Sequence, residues 1–397
     1  MKIIVLGGDG FCGWPVALSL SANGYDVTIL DNLSRRGIDE ELGTSPLIPI
    51  ETPENRLKTW HSVTNRRINF QYVDIAKDYE GFRAILEEIR PGAIVHLAEQ
   101  RSAPYSTLSP AARHYTVSNN IATTHAVLIA LTDLGLDSHM VHLGSIGVFG
   151  YTTAGIELPE GYVSATVRGT DGRSADMEIL YPGKPVSVYH MTKAQDQLLF
   201  EHYSRTEGIR ITDLNQGVVW GHATAETDMH PDLATRYDID AVYGTVVNRF
   251  LMQAATGKPL TVYGTGGQTR GFIHLRDVTH CIRLALQDPP KRGDRFQMFN
   301  QMTESVSIKD LANHVAGVTG AQIDFLPNPR KEPESNEFQV KAIGLQNLGL
   351  EPTLFKDQLA HEAKAVQSAI AALFVTFRVG EVGGAVWSRS SLPTRCR

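Results

Sequence analysis

Lys2-Ile3-Ile4-Val5-Leu6-Gly7-Gly8-Asp9-Gly10-Phe11-Cys12-Gly13 carries a short apolar run straight into glycines spaced Gly-x-x-Gly-x-x-Gly. An unbroken run of this length, rich in β-branched residues, reads as a parallel strand buried on both faces. Of the glycines, Gly7 permits a tight turn, Gly10 lets the backbone approach a pyrophosphate, and Gly13 lets the next helix pack closely on the strand. A helix starting near Phe11 then aims its free N–H groups and positive dipole end at the phosphates. A glycine triplet alone says little in a chain with 35 glycines. Its place between a strand and a helix is the context that dinucleotide binding requires.

The same alternation continues outward from this turn. Further strand-like runs lie at 26–30, 69–73, 93–97, 139–143 and 209–214, with helix-length segments at 13–23, 79–89, 120–134 and 188–205. Strands alternating with helices predict an α/β fold, a Rossmann-type doubly wound parallel sheet. We expect residues 1–220 to be mainly the dinucleotide-binding domain, with the Gly-rich stretch 155–184 inserted as a lid or binding loop. Residues 221–372 read as a smaller, mixed α/β substrate lobe. The mixture of Gly, Ser and Arg in 373–397 reads as a poorly packed tail.

The second strand ends at Asp31, where a carboxylate holds both ribose hydroxyls of an adenosine and repels a 2′-phosphate, favouring NAD over NADP. Arg35 and Arg36 pull the other way, since either suits a phosphate; alternatively, Asp31 merely caps a strand. Asp74-Ile75, after the third strand, falls where an adenine edge would lie, although a lone Asp is also an ordinary turn residue.

Tyr189-His190-Met191-Thr192-Lys193 sets a phenol and an ammonium four residues apart on a predicted helix, on one face. A neighbouring ammonium and a nicotinamide cation both favour phenolate, so the expectation is a Tyr189 lowered from its usual value of about 10. Such a group takes the proton of a sugar hydroxyl while hydride leaves the same carbon. Tyr-x-x-x-Lys alone is common as a surface pair. Here it follows Leu143-Gly144-Ser145-Ile146-Gly147-Val148-Phe149-Gly150 at a strand end, where Ser145 is placed to hydrogen-bond the reacting oxygen.

A formal net charge of −6 argues against a general nucleic-acid binder. Cys12, Cys281 and Cys396 are far apart, so neither a disulfide framework nor a metal site is expected, and a reducing, cytoplasmic setting fits. The N-terminus reads as a strand rather than a leader, and no run is long enough to span a bilayer.

These motifs resemble the extended short-chain dehydrogenase/reductases that modify nucleotide sugars, and most of all the UDP-sulfoquinovose synthases among them. The likeness rests on Gly7 to Trp14, Asp31-Asn32-Leu33 with Arg35-Arg36, and Glu99-Gln100-Arg101-Ser102-Ala103-Pro104-Tyr105-Ser106. It continues through Tyr189 to Lys193, Thr212 to Val219, Leu260 to Gly264, Gly266 to Gly271, and Pro327-Asn328-Pro329-Arg330. The resemblance implies a tightly held NAD, contacted also by Phe11, Cys12, Asn32, Leu97 and Asn119, and a homodimer. It implies UDP-glucose and sulfite as substrates, oxidised at C4 by Tyr189, Lys193 and Ser145. Gln100, Arg101 and His190 would lie near the sugar C6 or the sulfite. Asn215, Asn248, Thr261, Tyr263, Gln268, Arg270 and Arg330 would hold the UDP.

The chain departs from that pattern at one place. Where the synthases carry Thr-Met-Gly-Glu-Tyr-Gly, this chain has Ser145-Ile146-Gly147-Val148-Phe149-Gly150, which also resembles the Ser-x-x-Val-Tyr-Gly of UDP-hexose 4-epimerases. A UDP-hexose 4-epimerase, or another enzyme acting at C4, C5 or C6, is therefore the alternative. A third reading, an NAD-binding regulatory protein, has no need of an intact Ser145, Tyr189 and Lys193 set.

Overall fold

Six of the apolar runs become parallel strands: β1 Lys2–Leu6, β2 Asp26–Asp31, β3 Ile68–Tyr72, β4 Ala93–His96, β5 His139–Leu143 and β6 Arg210–Gln216. A seventh, β7 Gln297–Gln301, joins them from far down the chain, giving the order β7-β6-β5-β4-β1-β2-β3 with every pairing parallel. The computed structural model describes residues 1–380 except 152, 154, 182 and 329–332, with side chains as far as 372. Strand order reverses between β1 and β4. The crevice outside the carboxyl ends of these two strands is where such a sheet binds its ligand.

Helices cover both faces of the sheet. Helix α1, Gly13–Ala22, is buried along almost its whole length, which explains why its face is apolar all round. Helix α2, Pro110–Asp133, starts ten residues earlier than the 120–134 pattern suggests. The Ser109 side chain accepts the Ala112 N–H at 3.1 Å, and Pro110 takes the first helical position. Helix α3, Val188–Thr206, starts at Ser187, whose hydroxyl accepts the His190 N–H at 3.1 Å. That cap fixes where Tyr189 and Lys193 point.

The insertion at 155–184 contains an antiparallel hairpin, Tyr162–Arg168 with Ser174–Leu180. Tyr162 packs on Phe296 and bonds Glu201 of α3, and Arg295 pairs with Glu178 at 2.9 Å. The chain after Gly221 contributes to both lobes. Helix α5, Leu275–Gln287, packs its Val278, Cys281 and Ile282 into the core that holds Trp14 and Val16, and leads into β7.

The second lobe has its own core around Trp220, Phe250, Phe272 and Phe355. It consists of α4 Val246–Ala255, two small sheets, and α6 Phe355–Gly380. Helix α6 runs on to Gly380, into the stretch expected as tail; residues 381–397 lie outside the described residues. The fully buried Glu362 of α6 accepts the His222 backbone N–H at 2.9 Å and its Nδ1 at 2.6 Å, and lies 3.3 Å from His274 Nε2. These contacts fasten the helix to the lobe. The lobe is tied to the first turn by Trp14 Nε1 donating to the Leu233 carbonyl at 2.8 Å and Thr235 Oγ1 to that of Phe11 at 2.9 Å. Among the described residues no helix is long and apolar enough to cross a membrane.

Candidate active site

The turn after β1 has no room for side chains. Gly7 has φ +78°, and a Cβ on it would stand 2.7 Å from the Leu97 carbonyl, while one on Gly13 would stand 2.1 Å from the Gly7 oxygen. The backbone at the strand–helix junction is thereby bared to the cleft, with the free N–H groups of α1 behind it. Gly7, Gly10, Phe11, Cys12, Gly13, Asp31, Asn32, Arg35, Asp74, Ile75, Leu97 and Asn119 line this one cleft, together with Gln100, Arg101, Tyr189 and Lys193.

Asp31 accepts the N–H groups of Asp9 at 2.9 Å and Leu33 at 2.7 Å, and burial raises it to about 6. Arg36 does not line the cleft; it turns to Asp9 (2.7 Å) and the Glu51 carbonyl (2.7 Å). Arg35 stacks 3.7 Å over the Tyr243 ring and pairs with Asp39 and Asp238. Both arginines that suited a 2′-phosphate are thus committed to carboxylates, and the cradle fits NAD.

The catalytic candidates converge deeper in the cleft. The Tyr189 phenol bonds to the Ser145 hydroxyl, and Lys193 Nζ lies 6.0 Å from the Tyr189 ring centre. The protein's own groups hold the Tyr189 phenol high: burial pushes it up to about 12, Lys193 opposes this, and the carboxylate of Glu99 adds to it. Lys193 is not a lone ammonium. It is ion-paired with Glu99 at 2.8 Å, donates to the Leu143 carbonyl at 2.7 Å, and lies 3.1 Å from His142 Nε2. His142 in turn contacts Glu99 at 2.9 Å and Asp213 at 2.7 Å. His96, Glu99 and His142 stand close enough to hold a metal ion, but Lys193 already supplies the cation there.

His190 packs against Gly147 and the Tyr151 ring, with Nδ1 3.0 Å from Ser187 Oγ, and burial lowers it to about 4. Arg270 lies 4.2 Å over the other partner of that stack, Tyr151, so a contact chain runs from the second lobe to Tyr189. Arg101 pairs with Asp238 at 2.6 Å, and Gln100 is buried against Thr116 and Ser102. Asn215 is buried. It accepts from Gln197 at 3.0 Å and donates to Asn300 at 3.3 Å, because the polar ends of β6 and β7 pair there. Asn248 on α4, Thr261 and Tyr263 on Leu260–Tyr263, and Gln268 and Arg270 at the start of Thr269–His274 sit on adjoining elements of the second lobe. Arg330 lies outside the described residues. Val148 is buried in an apolar cluster with Phe149, Leu158 and Met302.

The residues missed from the sequence are Glu99, His142, Asp196 and Asp213. A signal existed: His142 in His-Met-Val-His-Leu and Asp213 in Ile-Thr-Asp-Leu-Asn are polar residues inside strands that are otherwise apolar. A buried charge in such a position needs a partner.

The model of the NAD dependent epimerase/dehydratase family matches residues 3–300. The chain is 43% identical over 364 residues to UDP-sulfoquinovose synthase, chloroplastic, of Spinacia oleracea, covering 90% of this chain and 73% of the relative. It is 39% identical over 370 residues to UDP-sulfoquinovose synthase of Sulfolobus acidocaldarius, covering 92% and 91%. A crystal structure of UDP-glucose 4-epimerase from Thermotoga maritima with UDP-glucose superposes with a TM-score of 0.67 at 22% identity, covering 94% of this chain and all of that one. That likeness establishes the fold. The chain belongs to the NAD dependent epimerase/dehydratase family, in the group of the UDP-sulfoquinovose synthases, and its cofactor is NAD.

Proposed function

We propose that the chain converts UDP-glucose and sulfite into UDP-sulfoquinovose through a 4-ketone. The observation that carries the reading is the convergence of Tyr189, Lys193, Gln100 and Arg101 on one cleft, in a chain 43% identical to a relative named for that product. NAD, when bound, accepts the hydride of C4 and later returns it. Tyr189 takes the C4 hydroxyl proton while Ser145 holds the oxygen. The ketone makes the C5 proton acidic; a base removes it and passes it to the C6 hydroxyl, which departs as water. Sulfite then bonds to C6 through sulfur, C5 regains a proton, and Tyr189 returns its proton to the C4 oxygen.

His190, lowered to about 4 by burial and so neutral near pH 7, suits the role of the base at C5, and once protonated it gives that proton up readily. Arg101 exchanges Asp238 for the incoming sulfite. Asn248 Oδ1 is buried and unpartnered within the described chain, which fits a donor from the uracil. A homodimer and a reducing, cytoplasmic setting belong to the same reading. Leu198 of α3 is exposed, and Cys12 and Cys281 are free buried thiols.

The buried Val148 favours a second reading, in which C4 is oxidised and the ketone merely turned over. Mass spectrometry of UDP-glucose incubated with the protein, with and without sulfite in D₂O, separates the two. Sulfite-dependent UDP-sulfoquinovose with deuterium at C5 is the expected outcome; UDP-galactose without C5 label overturns it.

Asp31→Ala is expected to lower NAD affinity by about 10- to 100-fold, the loss of one or two hydrogen bonds to a charged acceptor. Calorimetric titration of NAD into the variant measures this. Release of NADP rather than NAD from denatured wild-type protein would overturn the role given to Asp31.

A further inference from the structure

Beneath the Tyr189–Lys193 pair lies a buried group of charges contributed by four elements. Glu99 follows β4, His142 lies near the end of β5, Asp213 lies on β6, and Lys193 and Asp196 lie one turn apart on α3. Their side chains are at most 4% exposed. Burial and the neighbouring Glu99 raise Asp196 well above the ordinary carboxylate range, so it is the protonated member. Burial and Lys193 lower His142, but Asp213 and Glu99 outweigh them and raise it to about 9. Two carboxylates, Glu99 and Asp213, then face two cations, Lys193 and His142, and the group is neutral. A buried cluster with an unbalanced charge is strongly disfavoured.

We propose that Glu99 is a positioning residue that offsets the charge of Lys193, so that the buried Tyr189 keeps its proton until a second cation, such as an oxidised nicotinamide, enters the cleft. Burial is the largest influence holding the phenol above its usual value, and Lys193 is the largest one opposing it. Paired with Glu99 at 2.8 Å, Lys193 still faces the phenol, but the carboxylate takes back part of its effect. An oxidised nicotinamide bound in the cleft would supply that cation, and Tyr189 would then serve as base for the C4 hydroxyl. With a neutral, reduced nicotinamide the phenol would keep its proton and serve as the acid that returns it to the ketone oxygen. The arrangement suits an enzyme that oxidises and re-reduces one carbon in each turnover, and no solvent route for the proton is needed. The other titratable or charged groups around Tyr189 and Glu99 are Tyr151, His190, His96, His142, Asp196 and Asp213, and burial keeps His190 neutral. Burial lowers His96 to about 3 and keeps it neutral.

This inference rests on Tyr189 being the acid–base group, and its test does not depend on which sugar product forms. Tyrosinate absorbance is titrated in the purified protein, and the Tyr189 signal is isolated by subtracting the matching Tyr189→Phe background. Glu99→Gln keeps the shape and removes the charge; it is expected to lower the Tyr189 midpoint by about 1–3 pH units. The rising limb of kcat against pH is expected to move down with it, at unchanged KM for UDP-glucose. Glu99→Asp, which keeps the anion, is expected to stay near wild type and serves if the Gln variant folds poorly. A Tyr189 midpoint that does not move in Glu99→Gln, or that falls equally in both variants, overturns the role of Glu99 while leaving that of Tyr189 intact.

Discussion

Tyr189→Phe is expected to bind the nucleotide sugar as wild type does and to turn it over about 10²–10⁴-fold more slowly, the scale of one acid–base group. The substitution removes one oxygen. The ring keeps its contact with His190, and the helix keeps the Ser187 cap that sets its register. The lost oxygen is the one that bonds Ser145 and feels both Lys193 and Glu99, so the defect falls on chemistry and appears in kcat. Stopped-flow absorbance of the reduced cofactor after mixing with UDP-glucose measures the first half-reaction directly. Unchanged hydride transfer in the Phe variant would remove Tyr189 from the mechanism, whichever product the wild-type enzyme makes.

Lys193→Met is expected to lose activity on the same scale and, unlike the Phe variant, to lose about 3–5 kcal/mol of stability, the usual result of removing one partner from a buried ion pair. Methionine fills the stem but leaves Glu99 facing Asp213 across His142, with one positive charge for two negative ones. Glu99 also raises Tyr189, and without Lys193 to oppose it the phenol climbs further. Residual activity is therefore expected to need higher pH than wild type, since a raised phenol loses its proton later. Urea denaturation followed by fluorescence measures the stability change. The double variant Lys193→Met with Glu99→Gln is expected to recover much of the stability and none of the activity, because it removes both charges and the reacting pair stays broken. Equal denaturation midpoints for wild type and Lys193→Met would mean that the buried pair does not form.

The sequence by itself determined six of the seven strands of the sheet, the turn that receives the cofactor, and the placing of Tyr189 and Lys193 on one helical face. Each of these is written in residues close together along the chain. Ile3, Ile4 and Val5 precede Gly7 directly, and Tyr189 and Lys193 are one helical turn apart. Local patterns of this kind need only backbone geometry to be read. The insertion at 155–184 has strand-forming residues too, but where its hairpin packs depends on Phe296 and Glu201, which are distant in sequence. Tertiary structure alone decided the electrostatics. Glu99, His142, Lys193, Asp196 and Asp213 come from four elements, and no spacing along the chain relates them. Tyr189 is the example. The sequence shows the ammonium one turn away, whereas the burial that raises the phenol most, and the Glu99 carboxylate that adds to it, come only with the fold. In a buried site the sign of a shift is set by every charge within a few ångströms, and burial itself weighs against the phenolate.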